Sequence, residues 1–274
     1  MRGKLPVTVA VPVKNEEANL AKCLKRLNRF SEVIVIDSGS TDRTQEIAEE
    51  FGARVVQFAW NGKFPKKRNW FLMNDRPTQP WILFLDADEF IDDAFCEALF
   101  VALKDETFNG YWLNYTNYFL GKKLNYGVAQ RKLALFRYGC GLYERIDEEG
   151  WSTLDMEIHE HPIIDGEIGE ISTPIDHRDY KGVGKFIERH MNYALWEARR
   201  YALIKDDEDA WAAFTPRQTF KYRNVSKWWY STFYFVFTYV LKGGLLDGGA
   251  GYHYAAYKAW YFRTIRLLIR EQSQ

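Results

Sequence analysis

Residues 81–90, WILFLDADEF, decide the fold. The apolar run Trp81–Leu85 is too short for a helix and suits a strand buried on both faces, as in a parallel sheet. It ends on Asp86-Ala87-Asp88. A buried parallel strand delivers its last residues to the carboxyl edge of the sheet, where open α/β folds bind their ligands. Two carboxylates one residue apart at that edge suit a hard divalent cation, which keeps waters and takes further oxygens from substrate phosphates. The competing use of Asp88-Glu89 is to cap the helix that follows.

Working outward toward the N-terminus, strand and helix signals alternate. Val7–Val13 is β-branched and flanked by prolines, and Glu16–Leu27 spaces Leu20, Leu24 and Leu27 as one helical face. Glu32–Asp37 (EVIVID) reads as a second buried strand, Asp42–Phe51 as a helix opened by Ser40-Thr41-Asp42, and Ala53–Phe58 as a third strand. Strands separated by helices of this size predict right-handed crossovers and a parallel sheet. The fold class expected is α/β, with an open, mostly parallel nucleotide-binding sheet. Residues 1–108 would form the nucleotide half.

Toward the C-terminus the pattern changes. Gly110–Asn117 and Lys132–Arg137 read as strands without an intervening helix, so residues 109–205 are expected to form a mixed acceptor-side half of one domain, 1–205. Val183–Ile204 is helical, with Ile187, Met191, Leu195 and Ala198 on one stripe. Residues 206–274 are expected to form a helical extension. Val225–Leu241 is apolar almost all round, yet as a helix it spans only ~25 Å, short of the ~30 Å bilayer core. In Tyr252–Arg270, Arg263, Arg266 and Arg270 share one arc, and Phe262, Ile265, Leu268 and Ile269 another. A basic amphipathic helix beside an aromatic one suits a membrane surface; the plainer alternative is that both pack on the protein.

Composition narrows the function. Lysine plus arginine balance aspartate plus glutamate at 37 each, which argues against nucleic acid and makes any phosphate site local. Aromatics reach 17% of the chain, with ten tryptophans, as suits sugar sites and membrane surfaces. Three scattered cysteines fit free thiols in a reducing compartment. The N-terminus reads as a strand and not as a secretory signal, so a cytoplasmic protein is expected.

The strand-end loops supply the remaining candidates. PVKNEE (Pro12–Glu17) and DSGSTD (Asp37–Asp42) would share the edge with Asp86. Asp37 can accept from a base or a ribose hydroxyl, and Gly39 lets the chain turn close to a ligand. Lys63, Lys66, Lys67 and Arg68 gather at a helix start, a place suited to a diphosphate. Asp155, Glu157 and Glu160 are the carboxylates available as a catalytic base.

In this order, VAVPVKNEEANL, VIVIDSGSTDRT, KKRNW and WILFLDADEF resemble the family 2 inverting glycosyltransferases of GT-A type fold. RKLALFR (131–137), Ile158-His159-Glu160 and Asp176-His177-Arg178-Asp179-Tyr180 extend the resemblance. The closing LKGGLLDGGAGYHYA is similar to the bacterial branch that builds lipopolysaccharide core and surface polysaccharides. The resemblance implies Asp37 on the uracil or ribose, with Pro12, Asn15 and Glu16 lining the nucleoside pocket. Arg68 would face the diphosphate, beside Gly39 and Lys66. Asp86 would meet the ribose or a metal-bound water, Asp88 the metal itself, and His177 would complete its sphere. Glu160, in the His-Glu pair, would be the base, while His161 and His190 are read as structural. The implied cofactor is Mg2+ or Mn2+. The implied partners are a nucleotide-sugar donor, with UDP favoured by analogy, a lipid-linked glycan acceptor and the cytoplasmic face of the inner membrane. A soluble acceptor, a sugar nucleotidyltransferase and a non-catalytic binding module are the competing readings. The first loop is not the glycine-rich one of nucleotidyltransferases, and binding alone does not need Asp86-Ala87-Asp88.

Overall fold

The structure is a computed structural model that describes residues 3–146, 148–157, 160–178, 182–212 and 214–272. The chain divides into two compact units, one of residues 1–116 and 130–178, the other of 117–129 and 179–274.

The first unit is built on β1 (Leu5–Val13), α1 (Glu17–Leu24), β2 (Phe30–Asp37), α2 (Thr44–Glu50), β3 (Arg54–Gln57), α3 (Lys67–Asn74) and β4 (Trp81–Phe84). The strand order β3-β2-β1-β4 is parallel throughout, with Val13 opposite Asp37 and Ala10 opposite Phe84. Every residue of β1 except Pro6 is buried, because helices cover both faces. Val7, Val9, Val11 and Val13 pack with Leu20 and Leu24 of α1 on one face, and Ala10 packs with Phe71 and Leu72 of α3 on the other.

Beyond β4 the sheet turns antiparallel. The chain continues through β5 (Glu89–Phe90), α4 (Asp93–Ala102), β6 (Phe108–Phe119), β7 (Lys122–Leu124), β8 (Gln130–Arg137), β9 (Gly141–Tyr143), β10 (Pro162–Ile164) and β11 (Glu167–His177). The order runs on as β4-β8-β6-β11-β5, β7 hangs off β6, and β9 and β10 form a separate ribbon. The expected open α/β sheet, parallel on the nucleotide side and mixed beyond, is therefore present.

Three details depart from the sequence reading. The helix after Asp88 is capped by Asp92, whose carboxylate accepts from the Phe95 amide at 2.8 Å, so Asp88 and Glu89 are not spent on capping. β5 follows the acidic turn directly and pairs antiparallel with β11, setting His177 opposite Glu89. β11 had no place in the reading, although Ile171, Thr173 and Ile175 alternate with period two.

The second unit holds α5 (Gly182–Ile204), α6 (Glu208–Ala212), α7 (Pro216–Asn224), α8 (Tyr230–Val236), a π-helical turn (Phe237–Leu241), a 3₁₀ turn (Gly244–Asp247) and α9 (Gly249–Glu271). The α5 face turned inward is His190, Ala194, Glu197 and Ala198, while the expected Met191 and Leu195 are exposed. Polar residues are tolerated on that face because they are paired. Glu197 accepts from Lys221 and from the Tyr222 hydroxyl, each at 2.8 Å, and His190 Nε2 lies 3.1 Å from Lys258 Nζ. In α9, the apolar arc of Phe262, Ile265 and Ile269 packs into the helical core with Tyr222 and Tyr230. That burial accounts for the amphipathic pattern and corrects the expectation that this arc faces lipid. No helix of the described residues is long and apolar enough to cross a membrane.

Candidate active site

Three parallel strands bring their carboxyl ends together in the first unit, and the loops beyond them are tied to one another. The Asn15 amide donates to Ser40 Oγ at 2.9 Å, and Asn15 Oδ1 accepts from the Thr41 amide at 2.8 Å. The Glu16 amide donates to Thr44 Oγ1 at 2.8 Å, and Glu17 accepts from the Arg43 amide at 3.1 Å. Asn15 adopts φ 55° and Gly39 φ 71°, the left-handed values that asparagine and glycine tolerate best. Asp37, buried at the end of β2, accepts from the Ser40 amide at 3.1 Å, which fixes the turn around Gly39. Pro12 is buried in β1 opposite Ile36. Pro12, Asn15, Glu16, Asp37 and Gly39 thus belong to one double loop.

The start of α3 distributes three consecutive cations to three places, since successive helical side chains point in different directions. Lys67 Nζ donates to the Val13 carbonyl at 3.2 Å and lies 3.4 Å from Asp155, which also accepts from Ser38 Oγ at 2.7 Å. Arg68 Nη2 donates to Asp86 Oδ1 at 2.9 Å, and Nη1 donates to the Glu157 carbonyl. Arg68 Nε is buried and has no acceptor among the described residues. Lys66 Nζ is buried between Glu148, at 2.5 Å, and Glu160, at 2.7 Å. The expected diphosphate lysine and the expected base therefore meet each other. His159, of the His-Glu pair, lies outside the described residues.

The open helix start expected for a diphosphate is occupied. Both carboxylate oxygens of Glu157 accept from α3 amides, Arg68 at 2.9 Å and Asn69 at 3.0 Å. Of the three candidate bases, Glu157 is a helix cap, Glu160 is an ion-pair partner, and Asp155 is the most exposed.

At the end of β4, Asp86 is held from both sides, by Arg68 through Oδ1 and by Lys132 through Oδ2 at 2.7 Å. Lys132 also donates to Glu89, which accepts from the Asp86 amide at 3.1 Å. Burial alone would raise the Asp86 carboxyl, but the charges of Lys132 and Arg68 outweigh it and hold Asp86 well below the usual carboxylate range. Glu89 moves the other way, pushed up by burial against the pull of Lys132. Asp88 stands apart from that clamp. Its Oδ1 lies 3.7 Å from His177 Nε2, and its carbonyl accepts from the Arg178 amide at 3.0 Å.

Among the described residues no three metal-ligating side chains converge. One carboxylate and one imidazole a few ångströms apart still fit a Mg2+ or Mn2+ ion that keeps waters and completes its shell with substrate phosphate oxygens. Asp86, with both oxygens engaged by cations, fits a positioning role beside that pair. The sequence reading gave no role to Lys132, quoted only within RKLALFR, or to Glu148; each pairs with an opposite charge far along the chain, Lys132 with Asp86 and Glu89 and Glu148 with Lys66, and such pairing leaves no local pattern.

The sequence profile described as Glycosyl transferase family 2 matches residues 8–159. The lipopolysaccharide core biosynthesis glycosyltransferase LpsC of Rhizobium meliloti is 28% identical over 227 residues, covering 78% of this chain and 75% of that protein. The uncharacterized glycosyltransferase RT0209 of Rickettsia typhi is 24% identical, over 88% of this chain and 81% of its own. Among solved structures, glucosyl-3-phosphoglycerate synthase from Mycobacterium tuberculosis, in complex with Mn2+, uridine diphosphate and glucosyl-3-phosphoglycerate, is 26% identical. That overlap has a TM-score of 0.33 and covers 38% of this chain and 42% of that one. The profile runs from β1 through both strand-end loops, the basic helix start and the acidic turn, more than half of the chain: the protein belongs to glycosyl transferase family 2.

Proposed function

We propose that the protein transfers a sugar, with inversion, from a nucleotide-diphosphate donor, a UDP-sugar, to a lipid-linked glycan in lipopolysaccharide or surface polysaccharide synthesis at the cytoplasmic face of the inner membrane. The observation that carries the proposal is the juxtaposition of Asp88 and His177 at 3.7 Å, beside an Asp86 locked by Arg68 and Lys132, at the carboxyl edge of the sheet. The LpsC similarity supports the acceptor class.

In this reading the double loop receives the nucleoside, with Asp37 accepting from the uracil or ribose and Asn15, Glu16 and Pro12 forming the wall. Asp86 orients the ribose, and Arg68 faces the diphosphate. Asp88 and His177 would hold Mg2+ or Mn2+, which would supply Lewis-acid stabilisation of the charge on the departing diphosphate. Glu160 takes the proton of the acceptor hydroxyl. The freed oxygen attacks the anomeric carbon as the carbon–oxygen bond to the diphosphate breaks on the opposite face, with no covalent enzyme intermediate. Burial tends to raise the Glu160 carboxyl, but Lys66 outweighs it and favours the ionised form that a base requires.

Release of nucleoside diphosphate from a panel of activated sugars, with each metal and an extracted lipid-linked acceptor, is the test. Turnover should appear with one donor, vanish on chelation, and fall at least ~100-fold in Asp88→Asn and in Glu160→Gln. Failure of every donor with every metal overturns the proposal. Full activity in Glu160→Gln with loss in Asp155→Asn would move the base to Asp155, the more exposed carboxylate.

A further inference from the structure

The second unit carries an apolar surface that its own packing does not use. Along α8 and the π-helical turn, Phe233, Val236 and Val240 recur at helical spacing and are all exposed. The π-helical turn closes from the Lys242 amide to the Phe237 carbonyl, five residues back, at 2.8 Å. A turn with that extra residue brings Leu241 round toward the side of Val236. Leu241 is 69% exposed, Leu246 of the adjoining 3₁₀ turn 61%, and Trp228 just before α8 74%. The rings of Trp229, Phe233 and Phe237 are linked at 5.8 Å centroid distances, making the patch continuous along the helix.

Charge identifies the occupant. From Pro216 to Leu246 the chain carries Arg217, Lys221, Arg223, Lys227 and Lys242 and not one aspartate or glutamate. Lys221 is paired with Glu197, but among the described residues the other four have no carboxylate partner. Lys227 hydrogen-bonds the neutral Asn224, and Lys242 lies 5.5 Å from the Phe237 ring centroid. A protein partner for such a face would need a matching acidic rim and an apolar centre. A bilayer with anionic headgroups offers both without specific shape: apolar side chains enter the headgroup–acyl boundary, tryptophan sits at the interface, and lysines meet phosphates.

We infer that the α8–π-turn face of the second unit is a monotopic docking surface for an anionic phospholipid bilayer, with Trp228, Val240, Leu241 and Leu246 inserted and Lys227 and Lys242 at the headgroups. This deepens the proposed action on a lipid-linked acceptor and takes its purpose from that reading, but its physical basis is separate. It also moves lipid contact away from α9, whose apolar arc is buried.

Truncating α9 would remove core residues, so the test uses surface variants of the full chain. Sedimentation with vesicles of phosphatidylglycerol and phosphatidylcholine in equal parts should capture the wild type at low salt, and vesicles of phosphatidylcholine alone should not. At ~1 kcal/mol per cation, Lys227→Gln with Lys242→Gln should weaken partitioning about thirtyfold. Trp228→Glu with Leu241→Glu should weaken it at least as much, with unchanged melting and unchanged diphosphate release from a soluble donor. A wild type that stays in the supernatant, or variants that sediment like it, overturns the inference. So does a concentration-dependent dimer that Trp228→Glu with Leu241→Glu dissolves in the absence of vesicle binding, since the face would then belong to a second copy. Vesicle binding without transfer to any donor's acceptor would sink only the catalytic proposal.

Discussion

Removing the Lys66 ammonium would leave two buried carboxylates, Glu148 and Glu160, side by side, and like charges in one dry site cannot both remain ionised. Burial and Glu160 together already push the Glu148 carboxyl up, while Lys66 holds Glu160 down. A base works above its own pKa, so a depressed Glu160 keeps kcat/KM flat as pH falls until it passes below the ordinary carboxylate range. Lys66→Gln takes away the largest lowering influence and leaves burial opposed only by the hydrogen bonds of Glu148 and the backbone, so the acid limb of kcat/KM should move toward neutral pH. A pH profile of that variant checks it; an unmoved limb would mean that Glu160 does not accept the proton. The sequence supplied the acidic turn, the basic run and His177 because each sits in a recognisable local setting. It could not supply Lys132 or Glu148, nor the Lys66–Glu160 pairing, because partners 43, 82 and 94 positions apart are set only by tertiary structure.

Among the elements, α3 depends on a cap from a distant loop. Glu157 lies 88 residues beyond Asn69, yet supplies the acceptors that the first turn of α3 lacks, since no side chain at its own N-cap does so. Glu157→Ala should cost ~1–2 kcal/mol in chemical denaturation, the scale of a lost charged cap. Activity should fall with it, because Arg68 and Lys66 are aimed from the same turn. A second dependence lies at the start of α9. A Cβ on Gly251 would come within 2.0 Å of the Gly244 carbonyl oxygen, a backbone atom that cannot swing aside. Gly251→Ala should therefore destabilise by ~1–3 kcal/mol, read from the unfolding midpoint. Strands β1, β2 and β4 were legible because continuous β-branched or apolar runs have one use in a parallel sheet. β11 went unread, since Gly169 and Pro174 weaken the strand signal around the alternating Ile171, Thr173 and Ile175. The inward face of α5 was misread because hydrophobicity marks Met191 and Leu195, whereas paired polar groups let Glu197 and His190 take the buried side.

For the molecule as a whole, the proposed metal site, with Asp88 and His177 as its protein donors, should contribute little to folding until phosphate oxygens complete it. Manganese alone should leave the melting temperature nearly unchanged. Manganese with UDP near 100 times its Kd should add ~2.7 kcal/mol, a rise of roughly 5–11 °C for a domain of 150–250 residues. Thermal scans with metal, nucleotide and both together check this, and an equal rise with UDP alone would remove the metal from the site. The double loop has a consequence for anyone redesigning the donor. Residues 14–19 and 38–44 interlock through Asn15, Glu16, Glu17, Ser40, Thr41 and Thr44, so they form a single transplantable cassette. A chimera that borrows one segment from a relative with another nucleotide preference inherits a mismatched seam, whereas one that borrows both carries the proposed nucleoside wall intact.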